Sequence, residues 1–270
     1  MHSDINVKQR HYSAALTKGA ALKEDMRVLL KSWEQSESPQ EFAQRVQGSD
    51  LLGKTTAYRT RDLVLRIFRP RFLVPNDEQA IWLKKLIMNG IHRKIVDELM
   101  FLYTARADDL FYDFVINVFW PLCNRGDIII RNDDVLSFLM KAQDEGVLNE
   151  QWSESVKLKV CTTVLGILKD YGFIREEKRG YREIVNYRVS DVTIAYIAYV
   201  LHFQGLSDLA VCEHPDWLLF GLERNNLVSR LDELGELAGL IVQRAGSVIR
   251  ISWKFENMEV FLNGLTKQFI

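Results

Sequence analysis

Cysteine and histidine are scarce in this chain of 270 residues, and their scarcity removes several chemistries. The three cysteines, Cys123, Cys161 and Cys212, are odd in number and far apart, which argues against a disulfide framework. The five histidines are scattered, and neither a His-x-x-x-His nor a Cys-x-x-Cys pair occurs, so the usual zinc spacings are missing. There is no G-x-S-x-G elbow for a serine nucleophile and no G-x-G-x-x-G turn for a dinucleotide. The expectation is a protein without metal or other cofactor, and not an enzyme. No apolar leader opens the chain, which begins Met-His-Ser-Asp-Ile-Asn. The longest uncharged stretch, Val192 to Ser207, is shorter than the ~20 apolar residues of a membrane helix and reads instead as a buried helix. A reduced, cytoplasmic protein with no membrane contact follows from these absences.

What remains is ordinary globular material, 47% hydrophobic and 26% charged, with a net charge of −1. The charge is unevenly spread. Residues 1–71 hold 13 basic against 8 acidic groups, and residues 151–190 hold 8 against 5. The stretches between and after them, 72–150 and 191–270, are acidic by 13 to 8 and 10 to 6. Two basic blocks on a neutral chain are compatible with DNA binding that is salt-sensitive and of modest intrinsic strength.

The first 150 residues predict a helical bundle, with helices from about Lys18 to Trp33, from Ser38, and over 56–69, 77–89, 91–104, 108–119 and 133–145. Ser38-Pro-Gln-Glu41 is a capping box with proline at the first helical position, and glycines and prolines punctuate the rest. No alternating strands interrupt this region, so an α/β sheet is disfavoured.

Between Trp152 and Ser190 comes a helix, a glycine stop at Gly172 and a basic hairpin, the order of a winged-helix DNA-binding unit. Phe173-Ile174 and Ile184 to Val189 read as strands, with 175–182 as the loop between them. On a helical wheel Val156, Leu158, Val160, Cys161, Val164, Leu165, Ile167, Leu168 and Tyr171 form an apolar arc. Ser155, Lys159, Thr162, Thr163, Gly166, Lys169 and Asp170 lie opposite, free to meet a groove. Lys159, Thr162 and Thr163 on the helix, with Lys178, Arg179 and Arg182 on the wing, are the candidate DNA contacts. The plainer alternative is an ordinary helix and hairpin with a solvated turn. Leu227 to Ala238 and the segments 240–244 and 248–253, joined by a turn at Ala245-Gly-Ser247, repeat the helix-plus-hairpin pattern. There Asp232, Glu233 and Glu236 outnumber the bases on the helix, which favours a protein-facing or structural role.

Two further motifs need weighing. Gly48-Ser-Asp-Leu-Leu-Gly53-Lys54-Thr55 matches the phosphate-loop pattern G-x-x-x-x-G-K-[ST]. The residues before it are polar and helical rather than a buried strand, so a helix-start loop is the better reading. Arg59, Arg66 and Arg69 share one arc of the next helix and could track phosphates, or could pair with Asp62 on a solvated face.

Several segments together resemble the BrxA family of bacterial BREX phage-defence systems. They are Tyr12-Ser-Ala-Ala-Leu-Thr-Lys-Gly-Ala20, Leu51 to Arg59 with the arginine-rich helix, Trp152-Ser-Glu-Ser-Val-Lys-Leu-Lys159 through Gly172-Phe-Ile174, and His214 to Gly221 with Ile251-Ser-Trp-Lys254. The resemblance implies a cytoplasmic, non-enzymatic protein that binds double-stranded DNA and serves phage resistance beside methyltransferase and ATPase components. It also implies a NusB-like N-terminal bundle followed by winged-helix elements, and it supplies no catalytic residues. The expected architecture is therefore mainly α. A helical bundle spans 1–150, a winged-helix-like domain 151–205, and a C-terminal helix-hairpin unit 206–270. The rival functions are a protein-interaction adaptor in the defence complex, with little DNA contact, and RNA binding by analogy with the bundle fold.

Overall fold

Two helices that are buried on every side over most of their length set the plan, because the rest of the chain must pack around them. The first, α5 (Arg93–Arg106), is buried from Glu98 to Ala105, and the second, α9 (Asp191–Phe203), from Val192 to Leu201. The tyrosine hydroxyls of Tyr103 and Tyr196 meet at 2.9 Å between them. The computed structural model describes residues 10–49, 51–53, 56–148, 151–178, 180–246 and 248–269. Among these the protein is mainly helical with two small antiparallel sheets. No helix is long and apolar enough to cross a membrane.

Around the spines lie α1 (Lys23–Ser32), α2 (Pro39–Gln47), α3 (57–72), α4 (Glu78–Met88) and α6 (109–125). The capping box at the start of α2 forms as expected: Glu41 N–H donates to Ser38 Oγ, and Ser38 N–H to Glu41 Oε2. Helices α3 and α6 each contain a π-helical segment, Leu63–Phe68 and Val115–Phe119. In both, the residue just before a proline donates five residues back, Arg69 to Val64 and Trp120 to Val115. Proline brings no N–H and its ring crowds the carbonyl four residues earlier, so a wider turn lets the helix run through Pro70 and Pro121. That is why α6 continues to Arg125 rather than stopping at Phe119.

Strand β1 (Ile129–Ile130) comes next, then α7 (Asn132–Asp144) and α8 (Glu154–Asp170). Strands β2 (Ile174–Lys178) and β3 (Tyr181–Ile184) complete a three-stranded sheet of order β1-β3-β2. The C-terminal part holds α10 (Asp208–Cys212), a 3-10 turn Pro215–Phe220 and α11 (Arg224–Ala238). The hairpin β4 (Leu240–Ala245) and β5 (Val248–Trp253) and helix α12 (Met258–Phe269) end it. One buried cluster runs from Tyr12 to Leu265 through every element, and the pairing of β1 with β3 carries the sheet across residue 150.

The chain before α1 departs from the sequence reading. In place of a helix from Lys18, residues 12–21 form a strap with a short 3-10 turn, Ala14–Lys18, and α1 starts only at Lys23. Gly19 lies so close to α3 that a Cβ there would sit 2.2 Å from Ile67 Cδ1. Buried Arg71 donates to the carbonyls of Gly19, Ala20 and Ala21. At its start the strap bonds to Val147 and bridges to Leu148, and it then packs on α8. Close packing and Arg71, not helix propensity, decide its shape.

Candidate nucleic-acid interface

Helix α8 turns Val160, Cys161, Val164, Leu165, Ile167 and Leu168 into the core. Its outward face carries Ser155, Leu158, Lys159, Thr162 and Lys169, with Thr163 and Gly166 half-buried beside them. Leu158 is 48% exposed, so it belongs to this face rather than to the apolar arc. One turn separates it from Thr162, and the next from Gly166. A Cβ on Gly166 would meet nothing within 4 Å, so packing within the chain does not require glycine there. The hydroxyls of Thr162 and Thr163 donate to their own helix, to Leu158 O (2.9 Å) and Lys159 O (2.8 Å). Their methyl groups are what they offer outward. This face has no arginine, asparagine or glutamine able to grip a base edge with two bonds. It can carry charge and fit a groove, but it is poorly equipped to read sequence.

The hairpin beside α8 is more tightly paired than a loop. Arg175 bonds Glu183 at 2.7 Å and Glu177 at 3.3 Å, and Lys169 reaches Glu176 at 3.3 Å. Arg182 is only 13% exposed, held between Glu176 (3.5 Å) and Asn132 Oδ1 (3.1 Å). The Gly180 amide and Lys169 hold the Glu176 carboxyl below its usual range, so it stays charged. These cross-strand pairs draw the strands into 175–182, where the sequence reading has a loop, and the register shifts between Glu176 and Lys178. Residues 185–189 leave the sheet because Tyr187 stacks on Phe173 at 4.1 Å and Val189 is buried. Of the proposed wing contacts, Lys178 is exposed without an ion pair among the described residues, while Arg182 is tied down. Arg179 lies outside the described residues.

The arginines of α3 do not form one stripe. Arg59 is half-buried and donates to the Lys18 carbonyl at 2.8 Å, whereas Arg66 and Arg69 are exposed, Arg66 pairing with Asp62 at 3.3 Å. The π segment adds about one residue to a turn, which rotates the rest of the helix by roughly 100° against a regular wheel. Even so, Arg59 and Arg66 flank the strap that packs on α8 from its other side, so the two basic elements are neighbours. In the phosphate-loop match, Lys54 and Thr55 lie outside the described residues, and the element before Gly48 is helix α2 rather than a strand. Ser247, in the C-terminal turn, is likewise outside them.

Sequence reading missed the two polar clasps that fix these parts to α5. Glu98, fully buried, accepts from Ser190 N and Oγ, Thr193 Oγ1 and Tyr187 Oη, and so holds the start of α9 and the segment that leads to it from β3. At the other end of α5, Arg106 pairs with Asp216, which also accepts from Tyr112 Oη at 3.0 Å. Burial alone would raise the Asp216 carboxyl, but Arg106 and His214 hold it well below the usual range. Both clasps place ionisable groups inside, and the partners that meet them lie 92 and 110 residues along the chain, beyond any local rule. Burial pushes the three thiols up to about 11, which makes them poor nucleophiles near neutral pH.

No curated protein matches this chain. Among solved structures, an uncharacterized protein from Magnetospirillum magneticum is similar in fold, with a TM-score of 0.60 at 16% identity. The match covers 78% of this chain and 98% of that one. The BrxA family model matches residues 10–199, a span that takes in the strap, the α3 arginines, α8 and its hairpin. The chain belongs to the BrxA family.

Proposed function

We propose that this BREX-associated protein is a non-enzymatic, cytoplasmic binder of double-stranded DNA that acts in phage resistance with little sequence specificity. The observation that carries the reading is the outward face of α8. There Lys159, unpaired among the described residues, stands among neutral side chains, Lys169 reaches Glu176 at the end of the face, and its centre has no acid of its own. Its setting supports the reading, since β1, α7, α8, β2 and β3 succeed each other in the order of a winged helix, with the sheet order 1-3-2. In that comparison α8 is the helix that enters the major groove and Lys178 is near the wing tip. The bundle before it compares with the NusB fold. Contacts from Lys159, Lys178, Arg66 and Arg69 would be mainly to phosphates, and low specificity follows from the lack of side chains suited to base edges.

The test is fluorescence anisotropy with a labelled 30-base-pair random duplex over a salt series. Binding should weaken linearly in log–log form as salt rises, because neutralised phosphates release counterions. A salt-independent isotherm would refute the reading. An adaptor gripping other BREX proteins is the second reading, favoured by exposed Leu158 and Tyr181 and by the mutual pairing of charges in the β2–β3 hairpin. It predicts a partner retained after charge reversal at Lys159 and Lys178.

A further inference from the structure

The β4–β5 hairpin lies beyond the segment matched by the family model, and its charge is one-sided. From Leu240 to Lys254 there are three cations, Arg244, Arg250 and Lys254, and no acid. The ladder pairs Ile241 with Ser252, Gln243 with Arg250, and Ala245 with Val248, and all six of these side chains are exposed. Leu240, Val242, Ile249, Ile251 and Trp253 point the other way into the protein. One whole face of the ribbon therefore meets solvent, with Arg250 and Gln243 side by side at its middle.

The base of the ribbon, by contrast, is firmly held. Asp208 of α10 accepts from Ile251 N at 3.0 Å and Trp253 Nε1 at 3.1 Å. The Gly239 carbonyl accepts from Tyr199 Oη of α9 and from Lys254 N. Gly239 itself, at φ 64°, has no room for a side chain, since a Cβ would sit 2.5 Å from Phe255. Arg230 of α11 pairs with Asp191 and donates to the Val189 carbonyl, which ties this unit to the end of the first one. By the same alternation Arg250 lies on the outer face, whereas Arg244, opposite Ile249, lies on the other side and is exposed near the tip, so a ribbon anchored at its root by buried bonds presents cations from both sides. The cations are not spent internally: Arg244 reaches only Ser229 Oγ at 3.5 Å, and Arg250 and Lys254 have no carboxylate partner among the described residues.

We infer that the β4–β5 hairpin is a second duplex-contacting arm, which places phosphates against Arg244, Arg250 and Lys254. The occupant is chosen by charge complementarity. Exposed cations without interleaved acids suit the evenly charged backbone of a duplex, which can wrap the tip of a ribbon, whereas a protein partner would need an acidic surface of matching register. The inference rests on the DNA-binding reading above, and it moves part of the binding to a ribbon that carries side chains capable of two-pronged base contacts.

The experiment compares three proteins on the labelled 30-base-pair duplex across a salt series. They are the wild type, R244A/R250A/K254A and K159A/K178A, each checked by circular dichroism and thermal midpoint. The hairpin variant should bind at least about tenfold more weakly, and its log–log salt slope should fall by roughly 2 to 3, about 0.9 for each phosphate no longer neutralised. R244K/R250K should keep the slope, since charge is retained, which separates the effect of charge from a failure to fold. An unchanged slope in R244A/R250A/K254A, with binding abolished in K159A/K178A, would overturn the inference and leave the DNA reading standing. Wild type that binds no duplex at low salt would overturn both. Unchanged DNA binding with loss of a co-purifying BREX protein in the hairpin variant would assign the arm to a protein and overturn it as well.

Discussion

The two helix-hairpin units share a plan and reverse its charges. In the first, helix α8 shows solvent Lys159, unpaired among the described residues, and no acid at its centre, while its hairpin neutralises Lys169 through Glu176 and itself through Arg175–Glu183 and Arg182–Glu176. In the second, helix α11 shows Asp232 and Glu233, and the hairpin keeps its cations unpaired among the described residues. Similar backbones can thus offer a polyanion a helix in one place and a ribbon in the other. The function of such a unit resides in which side chains are already satisfied by the fold, not in the fold itself.

The largest effects should come from cutting the clasps that hold each unit to α5. Glu98→Ala leaves the Ser190 amide and three hydroxyls without their acceptor and should cost about 3 kcal/mol in urea unfolding. Asp216→Asn leaves Arg106 buried without a full counter-charge, at a similar cost of about 3 kcal/mol. The second clasp is also a pH sensor for stability. The folded pKa of Asp216 lies below the unfolded value near 3.9, so its stabilisation is complete above that value and drains away as pH falls below it. Thermal midpoints measured from pH 7 down to 2 should therefore fall less steeply in D216N than in wild type.

A smaller cut separates the units. Asp208→Ala removes the acceptor for Ile251 and Trp253 and should cost about 1.5 kcal/mol. Hydrogen exchange should quicken in β4 and β5 and stay unchanged in β2 and β3. Equal loosening of both hairpins would mean that they are not independently anchored. On the first unit, K159A/K178A should weaken duplex binding about tenfold, with the salt slope reduced by roughly 2. Adding Arg182→Ala should change that slope little, because its charge is already engaged by Glu176. The smallest effect sharpens the comparison most. Gly166→Ala should stabilise α8 by about 0.8 kcal/mol, since the position is open and glycine is a poor helix former. A gain in stability accompanied by weaker duplex binding would show that the glycine serves close approach of a ligand.

Much of this was legible beforehand where a rule acts locally. The capping box at Ser38, the buried helix that opens at Val192 and the stop after α8 depend on a few neighbouring residues, and each formed as read. The failures lie where a distant partner decides. Leu158 fits an apolar wheel, yet nothing packs over that part of α8, so it stays exposed. Charged residues 175–182 read as a loop until their cross-strand partners are known. The α3 wheel loses phase at a π turn whose cause, Pro70, stands beyond the stripe itself. Lys159 and Lys178 were identifiable as exposed cations, but only the structure distinguishes them from Arg182, which looks the same in the sequence and is engaged. The cations of β4–β5 are hidden in the sequence by the acidic helix before them, because the summed charge of a segment does not say which face carries it.

The strap has a consequence for the order in which this protein can be assembled. Tyr12 bonds Asp113 across 101 residues, meets Val147 and Leu148, and lies on the course that leads along α8. The segment leaves the ribosome early, and although Gly19 to Ala21 can meet Arg71 once α3 has emerged, the Tyr12 end and the side against α8 have no berth until residues 147–170 follow. At ordinary rates of synthesis that is a wait on the order of ten seconds. The N-terminal bundle is therefore finished from its front end last, and the basic surface is sealed into shape only once both of its contributors exist.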